Sequence, residues 1–241
     1  MLKPDGIMRL LASVASLAEV ETACRLGADI LDLKDPAKGA LGAWPTALLA
    51  PAVACVAGRR PVSATVGDLP MRPEPLLAAA RRTAALGVDI VKIGFFAGGD
   101  QRACAAALAA AAQDGVRLVA VLMADQEPDL GVLPILAAAG FLGAMLDTAD
   151  KAGGGLRRHL PDPVLGGFVA RARSLGLLTG LAGSLAVPDI APLAALEPDY
   201  LGFRGALCAG GRTGGLDPAA FARVRAAIDY AVPQVSIGLP Q

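Results

Sequence analysis

The strongest constraint on how this chain can fold is a long-range alternation. Short runs rich in aliphatic residues alternate eight times with longer segments rich in Ala and Leu. The runs fall at Met8–Val14, Asp29–Lys34, Pro61–Val66, Asp89–Phe95, Arg117–Met123, Phe141–Asp147, Leu177–Ala182 and Tyr200–Ala206, lengths that suit strands. Helical patterns follow each run, at Leu17–Leu26, Pro45–Val56, Pro73–Leu86, Gln101–Gln113, Leu130–Ala139, Pro163–Leu175, Pro188–Leu196 and Pro218–Tyr230. Gly closes several of these segments and Pro opens several, the usual asymmetry of helix ends. Uninterrupted strand–helix units call for a parallel sheet, because parallel neighbours need a long crossover. Eight such units in 241 residues predict a single (β/α)8 TIM barrel of the α/β class. The rival, an open doubly wound sheet, usually carries a Gly-rich turn after its first strand, and Ser13-Val14-Ala15-Ser16 has none. With no linker or shift in composition, residues 1–233 read as one domain and 234–241 as a loose tail.

Charge narrows the partners. Lys+Arg and Asp+Glu both number 22, so there is no long-range attraction for nucleic acid or for an acidic membrane surface. The longest apolar run, Ala103–Ala112, falls well short of the roughly 20 residues needed to span a bilayer. A signal peptide is not expected either. Asp5 interrupts the basic start, and the apolar stretch Leu10–Ala18 runs on into Glu19 and Glu21 of a helical pattern, as in a cytoplasmic protein. Cys24, Cys55, Cys104 and Cys208 are far apart and form no C-x-x-C pair, so they read as buried free thiols in a reducing compartment rather than as a metal site. The single histidine, His159, follows Arg157-Arg158 in what reads as a polar loop, which leaves little basis for a histidine-dependent nucleophile.

The basic residues themselves are uneven: 17 Arg against 5 Lys, at Lys3, Lys34, Lys38, Lys92 and Lys151. Arg carries a permanent charge, whereas Lys can lose its proton and act as a nucleophile. Strand alternation places some of these lysines. With Leu31 and Leu33 facing outward, Asp32 and Lys34 face the barrel interior; with Val91 and Ile93 outward, Lys92 faces in. With Leu142, Ala144 and Leu146 outward, Asp147 faces in, and Lys151 follows in the next loop. The same parity turns Arg204 inward from the eighth strand. All of these strands are even-numbered, and interior layers draw on alternate strands, so Lys34, Lys92, Asp147 and Arg204 are expected at one polar level of the mouth. Buried charges of this kind must compensate one another. Crowding and desolvation disfavour protonation, so one lysine of the set can serve as a neutral amine that forms a Schiff base.

The loops after strands seven and eight often hold phosphate in such barrels. Here they read Leu181-Ala182-Gly183-Ser184 and Arg204-Gly205-Ala206, so Gly183, Ser184, Arg204 and Gly205 are the expected phosphate-binding residues, and the substrate a small phosphorylated carbonyl compound. Ala152–Gly155, just beyond Lys151, has the composition of a mobile lid. The Ala-rich outer helices could pack copies into a homo-oligomer, although alanine also simply favours helices.

Six segments in order carry a resemblance: Asp32-Leu33-Lys34-Asp35-Pro36 with Gly39 to Gly42, Ser63-Ala64-Thr65-Val66-Gly67-Asp68, Val91-Lys92-Ile93-Gly94, Met145-Leu146-Asp147-Thr148 with Lys151, Leu181-Ala182-Gly183-Ser184, and Arg204-Gly205-Ala206. Together they resemble the (5-formylfuran-3-yl)methyl phosphate synthase family of methanofuran biosynthesis, across strands two to eight. The resemblance implies a lyase, free of metal and organic cofactor, that condenses two glyceraldehyde 3-phosphate molecules. It implies Lys34 as the Schiff-base lysine, with Asp32, Lys92, Asp147 and Lys151 as catalytic partners. Lys38 is read as solvated, and the segment after strand five, from Asp125 to Leu130, looks short for the family. A class I aldolase of another sugar phosphate would share the lysine and the phosphate loops. A non-catalytic barrel that binds a phosphorylated metabolite would need neither the lysines nor the aspartates.

Overall fold

A computed structural model describes residues 8–150 and 153–231. Eight parallel strands close into a barrel in sequence order: β1 Arg9–Val14, β2 Ile30–Leu33, β3 Val62–Thr65, β4 Ile90–Phe95, β5 Leu118–Met123, β6 Gly143–Asp147, β7 Leu178–Leu181 and β8 Tyr200–Phe203. The outer layer comprises α1 Leu17–Arg25, α2 Thr46–Val56, α3 Pro73–Ala84, α4 Gln101–Gln113, α5 Leu133–Ala138, α6 Leu156–His159, α7 Asp162–Ser174, α8 Val187–Ala194 and α9 Pro218–Ala231. Among the described residues no helix is long and apolar enough to cross a membrane.

The expected strands run one to three residues too long, because a ladder ends where its neighbour does. Lys34 lies just past β2, and the end of the eighth run curls into a 3-10 turn at Gly205–Leu207. Leu130–Ala139 is a 3-10 turn followed by the short α5. His159 ends the helical turn α6 rather than sitting in a loop. All four cysteines are free; Cys104 and Cys208 are buried, but Cys24 and Cys55 are only half-buried at the outer layer. Lys151 and the residues from 232 onward lie outside the described residues, and with them the expected tail and the first residue of the expected lid.

Alternation divides the apolar residues as expected. Leu31, Leu33, Val91, Ile93, Ala144, Leu146, Leu201 and Phe203 pack outward in the large cluster shared with the helices. Leu11, Ile30, Ile90, Val119, Val121, Met145 and Tyr200 fill the barrel. Leu142 departs from the rule and packs on the barrel-filling cluster. Gly143 brings no side chain to the lowest layer, and Leu142, which precedes the strand, turns in there.

The lower rim shows a repeated fastening. Asp29, Asp89 and Asp199, each the residue before an even strand, accept hydrogen bonds from backbone N–H groups of the preceding strand: Leu10 at 2.8 Å, Val62 at 2.9 Å and Thr179 at 2.7 Å. Each satisfies a donor the ladder leaves open and pins the two strands in register.

Register also fixes depth. The pairings Asp32↔Ser63↔Ile90, Lys92↔Val119↔Gly143, Met145↔Gly180↔Tyr200 and Gly202↔Leu11↔Ile30 each slip by two residues per two strands. Four such slips make a shear of eight, as in other barrels of this kind. One layer therefore consists of Asp32, Lys92, Met145 and Gly202. The layer above it consists of Lys34, Gly94, Asp147 and Arg204. This corrects the expected single polar level: Lys92 lies one layer below Lys34, Asp147 and Arg204, beside Asp32.

Candidate active site

The two layers carry two ion pairs, one above the other. In the lower, Lys92 Nζ lies 3.0 Å from Asp32 Oδ2, both side chains essentially without solvent contact. Asp32 also accepts hydrogen bonds from Ser13 Oγ at 3.1 Å and Ser63 Oγ at 2.6 Å. In the upper layer, Lys34 Nζ lies 3.4 Å from Asp147 Oδ2. Burial pushes the Lys92 ammonium below the ordinary lysine range, and nearby Lys34 adds to this, against the opposing pull of Asp32 and Asp147. Burial by itself would raise the Asp32 carboxyl; Lys92, Lys34 and the Ser63 hydroxyl outweigh it and hold the group below the usual carboxylate range. Beneath the pair, burial and the charges of Asp32, Asp199 and Asp147 push the Tyr200 phenol far up, so it stays neutral.

The fourth place in the upper layer belongs to Gly94, and it is filled from elsewhere. A Cβ at Gly94 would collide with the Phe96 ring and with Leu41. These two side chains form an apolar filling at the Gly94 position of the upper layer. Leu41 is held in place by Asp68, after β3, whose carboxylate accepts from Ala40 N at 2.8 Å and Leu41 N at 2.7 Å. The approach is tight enough that a Cβ at Gly39, where φ is +112°, would strike that carboxylate. Asp125, after β5, does the same for the loop after β6, accepting from Ala149 N at 2.7 Å and Asp150 N at 2.6 Å. The short segment after β5 thus braces the neighbouring loop that leads to Lys151.

Above the pairs lies a cavity of about 360 Å3 at the C-terminal mouth of the barrel, within the range of small-molecule sites. Asp32, Lys34, Lys92, Asp147, Gly183, Ser184, Arg204 and Gly205, eight of the residues singled out from sequence, all line it. Gly183 and Ser184 have positive φ values of +109° and +48°, and strain of this kind in a non-glycine residue collects at functional sites. Lys38 stands apart in a surface pair with Asp35, 55% of its side chain exposed.

Arg204 points inward as expected, but its donors are occupied. Nε donates to Arg212 O at 2.8 Å, Nη1 to Ser13 O and Glu19 Oε2, and Nη2 to Glu19 Oε1 and Gly214 O. All five N–H groups thus have protein acceptors. The guanidinium clasps the ends of β1 and β8 and has nothing left with which to bind phosphate. Sequence reasoning missed Ser13, the bracing roles of Asp68 and Asp125, and Arg212, which also lines the cavity. Their partners are mostly backbone groups, which leave no mark on side-chain patterns.

Solved structures share the fold. A 3-keto-L-gulonate-6-phosphate decarboxylase from Vibrio cholerae matches with a TM-score of 0.68 at 12% identity, over 94% of this chain and all of that one. A 3-hexulose-6-phosphate synthase from Salmonella typhimurium matches at 0.64 and 16%, over 93% and 100%. Closer in sequence are (5-formylfuran-3-yl)methyl phosphate synthases. The one from Methanopyrus kandleri is 36% identical over 83% of this chain and 89% of its own, and the one from Methanosarcina barkeri 32% over 86% and 93%. A Methylorubrum extorquens protein, given the same name provisionally, is 48% identical over 83% of this chain and 82% of its own. The family model described as 4-HFC-P synthase matches residues 10–225, which takes in every strand but the first residue of β1. The chain belongs to the 4-HFC-P synthase family.

Proposed function

We propose that this chain condenses two molecules of glyceraldehyde 3-phosphate to (5-formylfuran-3-yl)methyl phosphate, releasing one orthophosphate and two waters, as a cytoplasmic step toward a methanofuran-type one-carbon carrier. The names of the relatives support the product. The observation that carries the chemistry is the stacking of two lysine–carboxylate pairs under one cavity. A buried ion pair contributes little net stability, so two of them in a cleft point to a functional role.

Both lysines line the cavity, and Lys34 Nζ, in the upper layer, is the shallower and less buried of the two amines. It adds to the aldehyde carbon of one triose phosphate, and loss of water leaves an iminium. The iminium draws electrons from the adjacent carbon; a base removes the proton there, and the electron pair expels phosphate from the next carbon. Asp147, beside Lys34, is placed to accept and return protons. Lys92, whose burial favours the neutral amine, and Asp32 are placed to relay them below. Lys151 belongs to this set by family resemblance. Amines and carboxylates supply all of this chemistry without a metal or organic cofactor.

Incubation with glyceraldehyde 3-phosphate, followed by borohydride and peptide mass analysis, should place a reduced adduct on Lys34, while furan absorbance and free phosphate rise together. Lys34→Arg keeps the charge without the nucleophile and should abolish both adduct and furan with the melting temperature retained. An adduct without furan would favour an aldolase of another sugar phosphate. Neither adduct nor furan from the wild type would overturn the reading.

A further inference from the structure

Among the described residues, four cationic side chains line the cavity: Lys34, Lys92, Arg204 and Arg212. Among the described residues the first three each have a carboxylate partner, Asp147, Asp32 and Glu19 respectively. Arg212 has none. Its guanidinium makes one hydrogen bond to the described residues, from Nη2 to Gly39 O at 3.0 Å, and the residue is half-buried. Its location is fixed from both sides. Its backbone adjoins Gly205, where an added Cβ would lie 3.7 Å from Arg212 N. Its fork reaches across the mouth to the β2 loop, where Asp68 holds Ala40 and Leu41.

We propose that Arg212 is the charged side chain that holds a substrate phosphate at the mouth, and that it selects phosphorylated over unphosphorylated aldehydes. The substrate named here rests on the function proposed above; the phosphate site does not. A guanidinium whose donors are mostly open among the described residues, at the edge of a cavity where Lys34, Lys92 and Arg204 are paired, offers a planar fork matched to two phosphate oxygens. The glycine-bearing loops line the same cavity at Gly183, Ser184 and Gly205. Arg212 thus takes over the role that strand parity had suggested for Arg204. It also ties phosphate recognition to the loop that follows Lys34, because one guanidinium touches both.

The test uses the full chain and inorganic phosphate as the probe, with binding measured by calorimetry. Arg212→Gln should weaken phosphate at least about tenfold, the loss expected for one charge-assisted hydrogen bond. Arg212→Lys should recover part of that loss, and both variants should keep the wild-type melting temperature. With glyceraldehyde 3-phosphate, Arg212→Gln should raise KM more than it lowers kcat, whereas borohydride trapping with unphosphorylated glyceraldehyde should be unchanged. Phosphate affinity within twofold of wild type in Arg212→Gln would overturn the inference, as would a wild type that binds no phosphate. If wild type makes no furan yet Arg212→Gln still loses phosphate, the inference stands and the proposed reaction falls.

Discussion

Lys92 occupies the least favourable place in the fold for a lysine, with 2% of its side chain exposed and its charge opposed by Asp32 alone at contact distance. The consequence for stability is sharp. Removing one member of a buried pair strands the other charge and costs about 3–5 kcal/mol, whereas replacing both with apolar residues of similar size is neutral or stabilising by about 1–4 kcal/mol. Lys92→Met should therefore lower the urea midpoint markedly, and the double variant Asp32→Leu with Lys92→Met should return it to wild type or beyond, both without activity. A double variant no more stable than the single would show that the pair itself holds the barrel together. There is a pH counterpart. The folded chain holds the Lys92 proton less tightly than the unfolded chain, so unfolding takes up a proton between the lowered folded value and the ordinary value near 10.4. Stability should rise with pH across that window on account of Lys92, and the double variant should lack this rise. The inward facing of Asp32, Lys34, Lys92 and Asp147 was legible from aliphatic neighbours in the sequence. Their depth was not, because depth depends on the shear of the closed sheet, which no single strand carries.

At the scale of elements, the site depends on carboxylates outside the cavity lining. Asp68 and Asp125 stand after odd strands, and each holds two consecutive backbone N–H groups in the loop of a neighbouring even strand. The loops so held lead from Lys34 and toward Lys151. Asp68→Ala should leave Ala40 and Leu41 amides without their acceptor, so their hydrogen exchange should rise toward that of an open loop. Global stability should fall only by the worth of one or two charged hydrogen bonds, about 1.5–3 kcal/mol each. Asp68→Asn, which keeps one acceptor oxygen, should restore part of the protection and of kcat. Unchanged exchange at Ala40 and Leu41 in Asp68→Ala would refute the bracing role. Sequence placed Asp68 inside one of the six recognisable segments, but its partners lie 28 and 27 residues back along the chain and are main-chain groups. No residue pattern announces such a contact. The fastening aspartates of the lower rim were equally hidden, although each sits just before a strand whose position was evident.

Across the whole molecule, the barrel must close where its first strand meets its last, and Arg204 stands at that seam. Its guanidinium joins Ser13 O at the end of β1, Glu19 at the start of α1, and Arg212 O and Gly214 O in the loop after β8. The side chain is 8% exposed and that of Glu19 13%, so water does little to screen their charges. Alternation correctly turned this arginine inward, yet its role differs from the expected one because its acceptors are mostly carbonyls and a glutamate from the far end of the chain. Arg204→Gln leaves the Glu19 carboxylate and three carbonyls short of donors, a loss of about 3 kcal/mol or more. For a chain of this size that lowers Tm by about 6–12 °C. Glu19→Gln should show a comparable fall, and the two substitutions combined should fall by less than their sum, since each removes the same pair. Arg212 variants should leave Tm in place. Two arginines eight residues apart thus divide the work, one closing the barrel and one facing the cavity. Equal melting temperatures for Arg204→Gln and Arg212→Gln would show that this division is wrong.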